Sequence, residues 1–369
     1  MLVIERVSKI YKSGTFGSDL KLALRQVSFG IDKGEVVSLI GESGSGKSTL
    51  GKIVLRLTPL SGGRVLFEGT DIKALKRKEL HDYYCHVQGV FQDPFSSYNP
   101  LYKADRVFEM VRQEYFAGLH GDEWEAKIAS ALEAVTLNPA DVLNKFPHQL
   151  SGGQQQRLLV ARALLLDVKL LIADEIISML DASTRVDVLN MLVHLKKRGL
   201  GILFITHDLS LGNYISDRTV ILRAGTVMEM GLTAKVFGNP QHPYTKSLLT
   251  AVPQLHKKWE HVEAGSPTAP IATNGIGTAR DKSEPASMVE RRRYSRSSLS
   301  PTRGSTTQVT RPAAKGGGEY GSHPSLMDIS DAPWQRWGPG SVNREAFLLS
   351  QVPPPLVECE DGHFVAVEQ

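Results

Sequence analysis

Cysteine is nearly absent from this 369-residue chain, with Cys85 and Cys359 the only two. They show no metal-ligand spacing, which argues against a zinc or iron–sulfur centre, and so few thiols suit a reducing compartment. Long apolar runs are missing too. The best candidate, Leu164 to Leu180, is broken by Asp167, Lys169, Asp174 and Glu175, short of the ~18 uncharged apolar residues that span a bilayer. Any role at a membrane is therefore expected to fall to partner chains. The opening Met1-Leu2-Val3-Ile4-Glu5-Arg6 meets charge too early for a secretory signal. A strong excess of one charge is lacking as well: the formal net charge is +4, too small at this length to argue for nucleic acid. What is present, 41% hydrophobic and 22% charged residues, is ordinary for a globular chain of two or so folding units.

The most informative stretch is Gly41-Glu42-Ser43-Gly44-Ser45-Gly46-Lys47-Ser48-Thr49. It follows the apolar run Val36-Val37-Ser38-Leu39-Ile40, which reads as a buried strand, and precedes Leu50 to Leu57, which reads as a helix. Strand, glycine-rich loop and helix in that order is the context of a phosphate-binding loop. Gly41, Gly44 and Gly46 allow the tight turn that converges backbone N–H groups on an anion. The helix N-terminus adds its positive dipole end. Lys47 supplies charge for β- and γ-phosphates, and the Ser48 hydroxyl suits Mg²⁺. The pattern predicts binding of a nucleoside triphosphate.

Around this centre, Leu2, Ile4 and Val7, and then Val27, Phe29 and Ile31, predict half-buried antiparallel strands. Tyr11, at the end of the first, either stacks on a base or caps the strand. Gly89-Val90-Phe91 reads as a buried strand ending at Gln92, whose amide can point at a metal or water; alone it would read as a solvated loop residue. Val107, Met110 and Val111, then Ile128, Leu132 and Val135, recur at helical spacing and predict a helical insertion with a packed apolar stripe. Leu150-Ser151-Gly152-Gly153-Gln154 opens a helical run. Ser151 is a strong N-cap type, and the glycines leave N–H groups open either to a cap or to an anion. Leu170-Leu171-Ile172-Ala173 is a buried strand ending in Asp174 and Glu175, at the edge where ligands lie in α/β folds. With the phosphate loop in hand, Asp174 is expected to hold hydrated Mg²⁺ and Glu175 to polarise an attacking water. Ile202 to Thr206 forms another such strand, ending at His207, which is either structural or a γ-phosphate contact.

Together these residues resemble the nucleotide-binding subunit of an ATP-binding-cassette (ABC) transporter over roughly residues 1–256. Gly41–Ser48 matches the Walker A motif, Leu170–Glu175 Walker B and Leu150–Gln154 the unaltered signature. Gln92 falls on the Q-loop, Asp181 on the D-loop, His207 on the switch histidine and Tyr11 on the base-stacking A-loop. The resemblance implies an α/β fold, with a P-loop NTPase core of ABC type, an antiparallel β-subdomain and an inserted helical subdomain. It implies ATP and Mg²⁺ as ligands and a head-to-tail homo- or heterodimer. In such a dimer, Ser151 and Gly153 of one subunit close on the γ-phosphate held by Lys47 of the other, and Gly152, Gln154 and Asp181 are implied as further cofactor-binding residues. Glu175 is then the general base, His207 positions the γ-phosphate, and Ser48, Gln92 and Asp174 organise Mg²⁺ and the lytic water. Asn239-Pro240-Gln241-His242-Pro243-Tyr244-Thr245 and Gln92-Asp93-Pro94-Phe95-Ser96-Ser97-Tyr98-Asn99-Pro100 are similar to the oligopeptide and dipeptide importer subfamily, as are Pro354 to Glu358 and Gly362 to Ala366. That implies a peripheral subunit at the cytoplasmic face of the plasma membrane, working on two permease subunits and indirectly with an extracytoplasmic solute-binding protein.

The expected organisation is a nucleotide-binding domain over 1–238, with its helical part at about 101–152, and a transporter-type extension over 239–258. A disordered linker over 259–325 and a small C-terminal segment over 326–369 follow. The linker assignment rests on Ser, Thr, Pro and Gly density without apolar periodicity, with a basic run at Arg291 to Arg296. Three departures from the family stand out: Ile176-Ile177 where Pro-Thr is usual, a single tail cysteine, and an unusual Leu101 to Gly118. Because a buried strand positions Asp174 and Glu175, Ile176→Pro is expected to change hydrolysis only a few-fold. The rival to a transporter subunit is a cassette ATPase accessory to a soluble enzyme complex of phosphonate-lyase type.

Overall fold

Strand alternation at the N-terminus produces the antiparallel subdomain. A computed structural model describes residues 1–13, 19–251 and 344–367, all within one compact unit. Strands β1 (Leu2–Ser13) and β2 (Asp19–Ile31) pair antiparallel from Leu2 opposite Ile31 to Ser13 opposite Asp19. The inward set Leu2, Ile4, Val7, Leu24, Val27 and Ile31 is almost wholly buried. After β3 (Val36–Ile40) and α1 (Lys47–Val54), strands β4 (Gly62–Phe67) and β5 (Thr70–Asp71) complete a sheet of order β2-β1-β4-β5.

The second sheet carries the chemistry. Helix α2 (Arg77–His86) leads into β6 (Val87–Val90), and the helical insertion follows: α3 (Arg106–Tyr115), α4 (Gly121–Ala134) and α5 (Pro139–Val142). Then come α6 (Gly152–Leu164), β7 (Leu170–Asp174), α7 (Ala182–Lys197) and β8 (Gly201–Thr206). Helix α8 (Leu209–Ile215) is followed by the hairpin strands β9 (Arg218–Arg223) and β10 (Thr226–Leu232). Strands β9, β3, β8, β7 and β6 run parallel in that order. Every residue of β3, β7 and β8 is buried, as expected of parallel strands covered on both faces. Their C-terminal ends deliver Ile40, Asp174 and Thr206 to one edge.

The insertion packs on α6 through Phe108, Val111, Trp124, Leu132 and Val135. Of the expected stripe on α3, Val111 is buried and Val107 half-buried, but Met110 is 60% exposed. Phe108 takes the core position instead, at 1% exposure, because the face of α3 that meets α6 is turned toward 108 and 111.

Helices α9 (Thr233–Gly238) and α10 (Pro243–Thr250) lie against β10. At the far end of the chain, α11 (Arg344–Ser350) leads to β11 (Leu356–Glu360) and β12 (His363–Ala366). This hairpin adds two antiparallel strands beside β10, making the sheet eight-stranded. The Gln26 amide donates to the carbonyls of Leu349 and Gln351, so the same segment also touches the antiparallel subdomain. The expected linker at 259–325, with its basic run, lies outside the described residues.

Candidate active site

The loop between β3 and α1 takes its shape from backbone conformations that only glycine adopts freely. Gly44 and Gly46 have φ of 82° and 105°. A Cβ on Gly46 would also sit 2.5 Å from the Ala23 carbonyl oxygen. Gly46 is the N-cap of α1, and no side chain caps that helix, so its first N–H groups are left for an anion.

Lys47 is 4% exposed and donates to the carbonyls of Gly41 and Glu42, both at 2.8 Å. Burial lowers its pKa, while Glu175, Asp174 and Glu42 pull it back up. Ser48 Oγ donates to Asp174 Oδ1 at 3.1 Å. Burial raises the pKa of Asp174; the Ser48 hydrogen bond opposes the shift and the neighbouring Glu175 adds to it. Both charges are penalised for their burial, as expected of groups whose full compensation comes from a ligand.

Glu175 lies just past β7 with φ of 52°, an uncommon conformation for a residue other than glycine. It is fastened on both sides. Its N–H donates to the Ile205 carbonyl at 2.9 Å, and its own carbonyl accepts from Ser178 N at 3.1 Å and Ser178 Oγ at 2.9 Å. His207, just past β8, meets Glu175 Oε1 through Nδ1 at 3.1 Å; a carboxylate only accepts, so Nδ1 carries the proton. The adjoining Ile176 and Ile177 are buried in the apolar cluster.

A groove of about 780 Å³ brings together Tyr11, Ser43, Gly44, Gly46, Lys47, Ser48, Thr49, Gln92, Glu175 and His207. Asp174 reaches it through Ser48, and Gly41 opens the loop that forms its floor. Ser13, Lys21 and Ala23 line it too, and sequence reasoning missed them. Their signal is register, since Lys21 stands directly opposite Tyr11. Another cleft, of about 740 Å³, lies at the opposite ends of β7 and β8. Its lining mixes Asp32, Glu68 and Asp167 with Lys33, Lys169 and Arg198 and contains no glycine loop, so phosphate chemistry favours the first.

The signature residues do not enter this groove. Ser151 Oγ accepts from Gln154 N at 3.2 Å and Gln154 Oε1 accepts from Ser151 N at 2.8 Å, a capping box that starts α6. Asp181 caps α7, and its bonds from Ser183 and from the backbone and hydroxyl of Thr184 hold its carboxyl well below the usual range. The two helix starts abut. A Cβ on Gly153 would lie 2.2 Å from Thr184 Cγ2, and one on Gly152 would be 3.4 Å from Leu180 Cδ2. Ser151 to Gln154 and Asp181 thus form a second constellation, separate from the groove.

Among the described residues no group of three or more His, Cys, Asp or Glu could hold a metal. The Ser48 hydroxyl and Asp174 carboxylate fit Mg²⁺ instead, a cation that takes one or two protein oxygens and fills its shell with phosphate and water.

Comparison with known proteins gives the family. The ABC transporter family pattern matches residues 24–178, and that of the oligopeptide/dipeptide transporter C-terminal region matches 228–277. A Brucella ovis protein named as a peptide import ATP-binding protein is 41% identical over 254 residues, 69% of this chain and 78% of that one. The oligopeptide transport ATP-binding protein OppF of Streptococcus mutans is 39% identical over 273 residues, 71% of this chain and 88% of that one. Among solved structures, a dimeric post-hydrolysis state of the ATP-binding cassette MJ0796 bound to ADP and Pi aligns with TM-score 0.57 and 30% identity. The alignment covers 63% of this chain and 99% of that one. The chain belongs to the ABC transporter family, as an ATP-binding, ATP-hydrolysing cassette whose C-terminal region is of the oligopeptide/dipeptide transporter kind.

Proposed function

We propose that this ATPase powers a peptide-type importer, driving solute uptake through two partner permease subunits at the cytoplasmic face of the plasma membrane. The observation that carries the reading is the match of residues 228–277 to the oligopeptide/dipeptide transporter C-terminal region, in a chain whose relatives are named for peptide import or oligopeptide transport. No helix among the described residues is long and apolar enough to cross a membrane; in this reading the partners supply the pathway for the solute. A binding protein on the far side would deliver the solute. The division into a cassette over 1–238, an extension to 258, a linker over 259–325 and a closing segment is part of the same proposal.

Within the groove, Tyr11 stacks on adenine, and Gly41, Ser43, Gly44, Gly46 and Thr49 offer the loop and helix start to the phosphates. Lys47 keeps two of its three donors on the Gly41 and Glu42 carbonyls and turns the third to the β- and γ-phosphates. Ser48, Asp174 and Gln92 would hold Mg²⁺, which when bound would neutralise phosphate charge. Glu175 accepts the proton of the attacking water, and His207, hydrogen-bonded to it, faces the γ-phosphate. The separation of Ser151, Gly152, Gly153, Gln154 and Asp181 from the groove favours a head-to-tail dimer. In that arrangement each subunit's signature closes the other's ATP site, and hydrolysis reopens it.

The test is reconstitution in proteoliposomes with permease subunits and a solute-binding protein of the oligopeptide-importer kind. Peptide-loaded binding protein should stimulate ATP hydrolysis several-fold and peptide should accumulate. Hydrolysis indifferent to binding protein, with the chain co-purifying instead in a soluble enzyme complex, would favour the lyase-accessory rival.

A further inference from the structure

Tyr244 belongs to the C-terminal extension yet touches the phosphate loop. It is the second residue of α10, 7% exposed, and its ring faces the Arg223 guanidinium at 4.9 Å. Its hydroxyl accepts the backbone N–H of Glu42 at 3.4 Å. Tyr244 is not part of the groove lining, so it reaches the loop from behind.

The Glu42 N–H shares one planar peptide with the Gly41 carbonyl. That carbonyl accepts from Lys47 Nζ at 2.8 Å, and the next carbonyl, of Glu42, accepts from it at the same distance. In a trans peptide the N–H and C=O point to opposite sides, so holding the N–H fixes the direction of the C=O. Gly41 has no slack to reorient. A Cβ there would lie 2.0 Å from the Leu222 carbonyl oxygen, which shows how closely β9 backs the loop.

We propose that Tyr244 is a positioning residue for Lys47: its hydroxyl sets the Gly41–Glu42 peptide and, through it, the ammonium that meets the nucleotide phosphates. The extension is anchored for this task. Glu229, on β10 and wholly buried, accepts from Gln241 N at 2.9 Å, His242 N at 3.0 Å and His363 Nε2 at 2.7 Å. His242 Nδ1 in turn accepts from Tyr244 N at 3.0 Å. An unbroken series of contacts thus runs from the C-terminal hairpin through Glu229 and the start of α10 to the phosphate loop. Nucleotide affinity becomes a property of the extension as well as of the groove.

The proposal rests on Lys47 facing phosphate, and the test separates the two. Dissociation constants for a fluorescent ATP analogue, titrated into the millimolar range, are measured on the full chain as wild type, Tyr244→Phe, Lys47→Ala and the double variant. Melting temperatures are taken alongside. Tyr244→Phe removes only the hydroxyl and should weaken binding roughly three- to tenfold, the span of one hydrogen bond, with melting nearly unchanged. In the Lys47→Ala background the same change should cost nothing further, because the group it positions is gone. Unchanged affinity in Tyr244→Phe, or an equal loss in both backgrounds, overturns the positioning role. Wild-type affinity in Lys47→Ala would overturn the phosphate assignment beneath it.

Discussion

Removing the Glu229 carboxylate should loosen the C-terminal hairpin and α10 at once. Glu229→Ala leaves three donors without an acceptor: the N–H groups of Gln241 and His242 and the Nε2–H of His363. Glu229 and His363 are both fully buried, so water does not reach this point without displacing β12. Each orphaned buried donor costs about 1–3 kcal/mol. Part of that sum is returned, because the variant no longer buries a carboxylate. A net loss of about 2–4 kcal/mol follows from these terms, equivalent to roughly 5–10 °C in a domain of this size. Differential scanning calorimetry of the full chain without nucleotide is the assay, with limited proteolysis reporting release of the hairpin. Glu229→Gln offers an internal control. Its amide oxygen can replace Oε1, which accepts from Gln241 and His363, but its NH₂ then faces the His242 N–H that Oε2 accepts. That variant should melt between the other two. A Glu229→Ala protein melting within about 2 °C of wild type would refute the reasoning, because one kcal/mol already moves the midpoint that far.

Asp174→Asn should raise the melting temperature of the nucleotide-free protein near neutral pH while abolishing hydrolysis. Burial raises the folded pKa of Asp174, so between its unfolded and folded values the native state holds the extra proton, and stability falls as pH rises through the folded value. The gain from Asn should therefore shrink as pH is lowered and vanish below the unfolded value; a gain that grows on acidification would contradict the sign. Ile176→Pro should lower stability more than turnover. Ile176 is 1% exposed and packs in the apolar cluster, whereas Glu175 is held by Ile205 on one side and Ser178 on the other. Hydrolysis should change only a few-fold, and a change of two orders of magnitude would mean that proline had pushed Glu175 out of its left-handed conformation.

The local parts of the site were legible in the sequence because one short segment specifies each. The run Val36 to Ile40, the glycine loop and α1 fix Lys47 and Ser48 together, and β7 ends at Asp174 by its own apolar pattern. The antiparallel subdomain and the helical insertion followed from periodicity alone, although Met110 shows that a period identifies a helix better than it identifies the buried face. What the sequence hid depends on pairing across long separations. His363 meets Glu229 across 134 residues and Tyr244 meets Glu42 across 202, and no local pattern announces either. Lys21 and Ala23 enter the groove through strand register rather than motif. The left-handed backbone of Glu175 is likewise imposed by its hydrogen bonds to neighbouring strand ends and turns, since glutamate has no intrinsic preference for it.

Turnover and assembly of Glu175→Gln test the central claim most directly. The amide keeps the size of the side chain and a bond to His207 but cannot take the water's proton. Single-turnover hydrolysis and size-exclusion chromatography with ATP and Mg²⁺ should show ATP retained, hydrolysis reduced by at least roughly a hundredfold and the chain held as a dimer. Hydrolysis near the wild-type rate, or a variant that stays monomeric while saturated with ATP, would contradict an ATP-closed cassette in which Glu175 is the base.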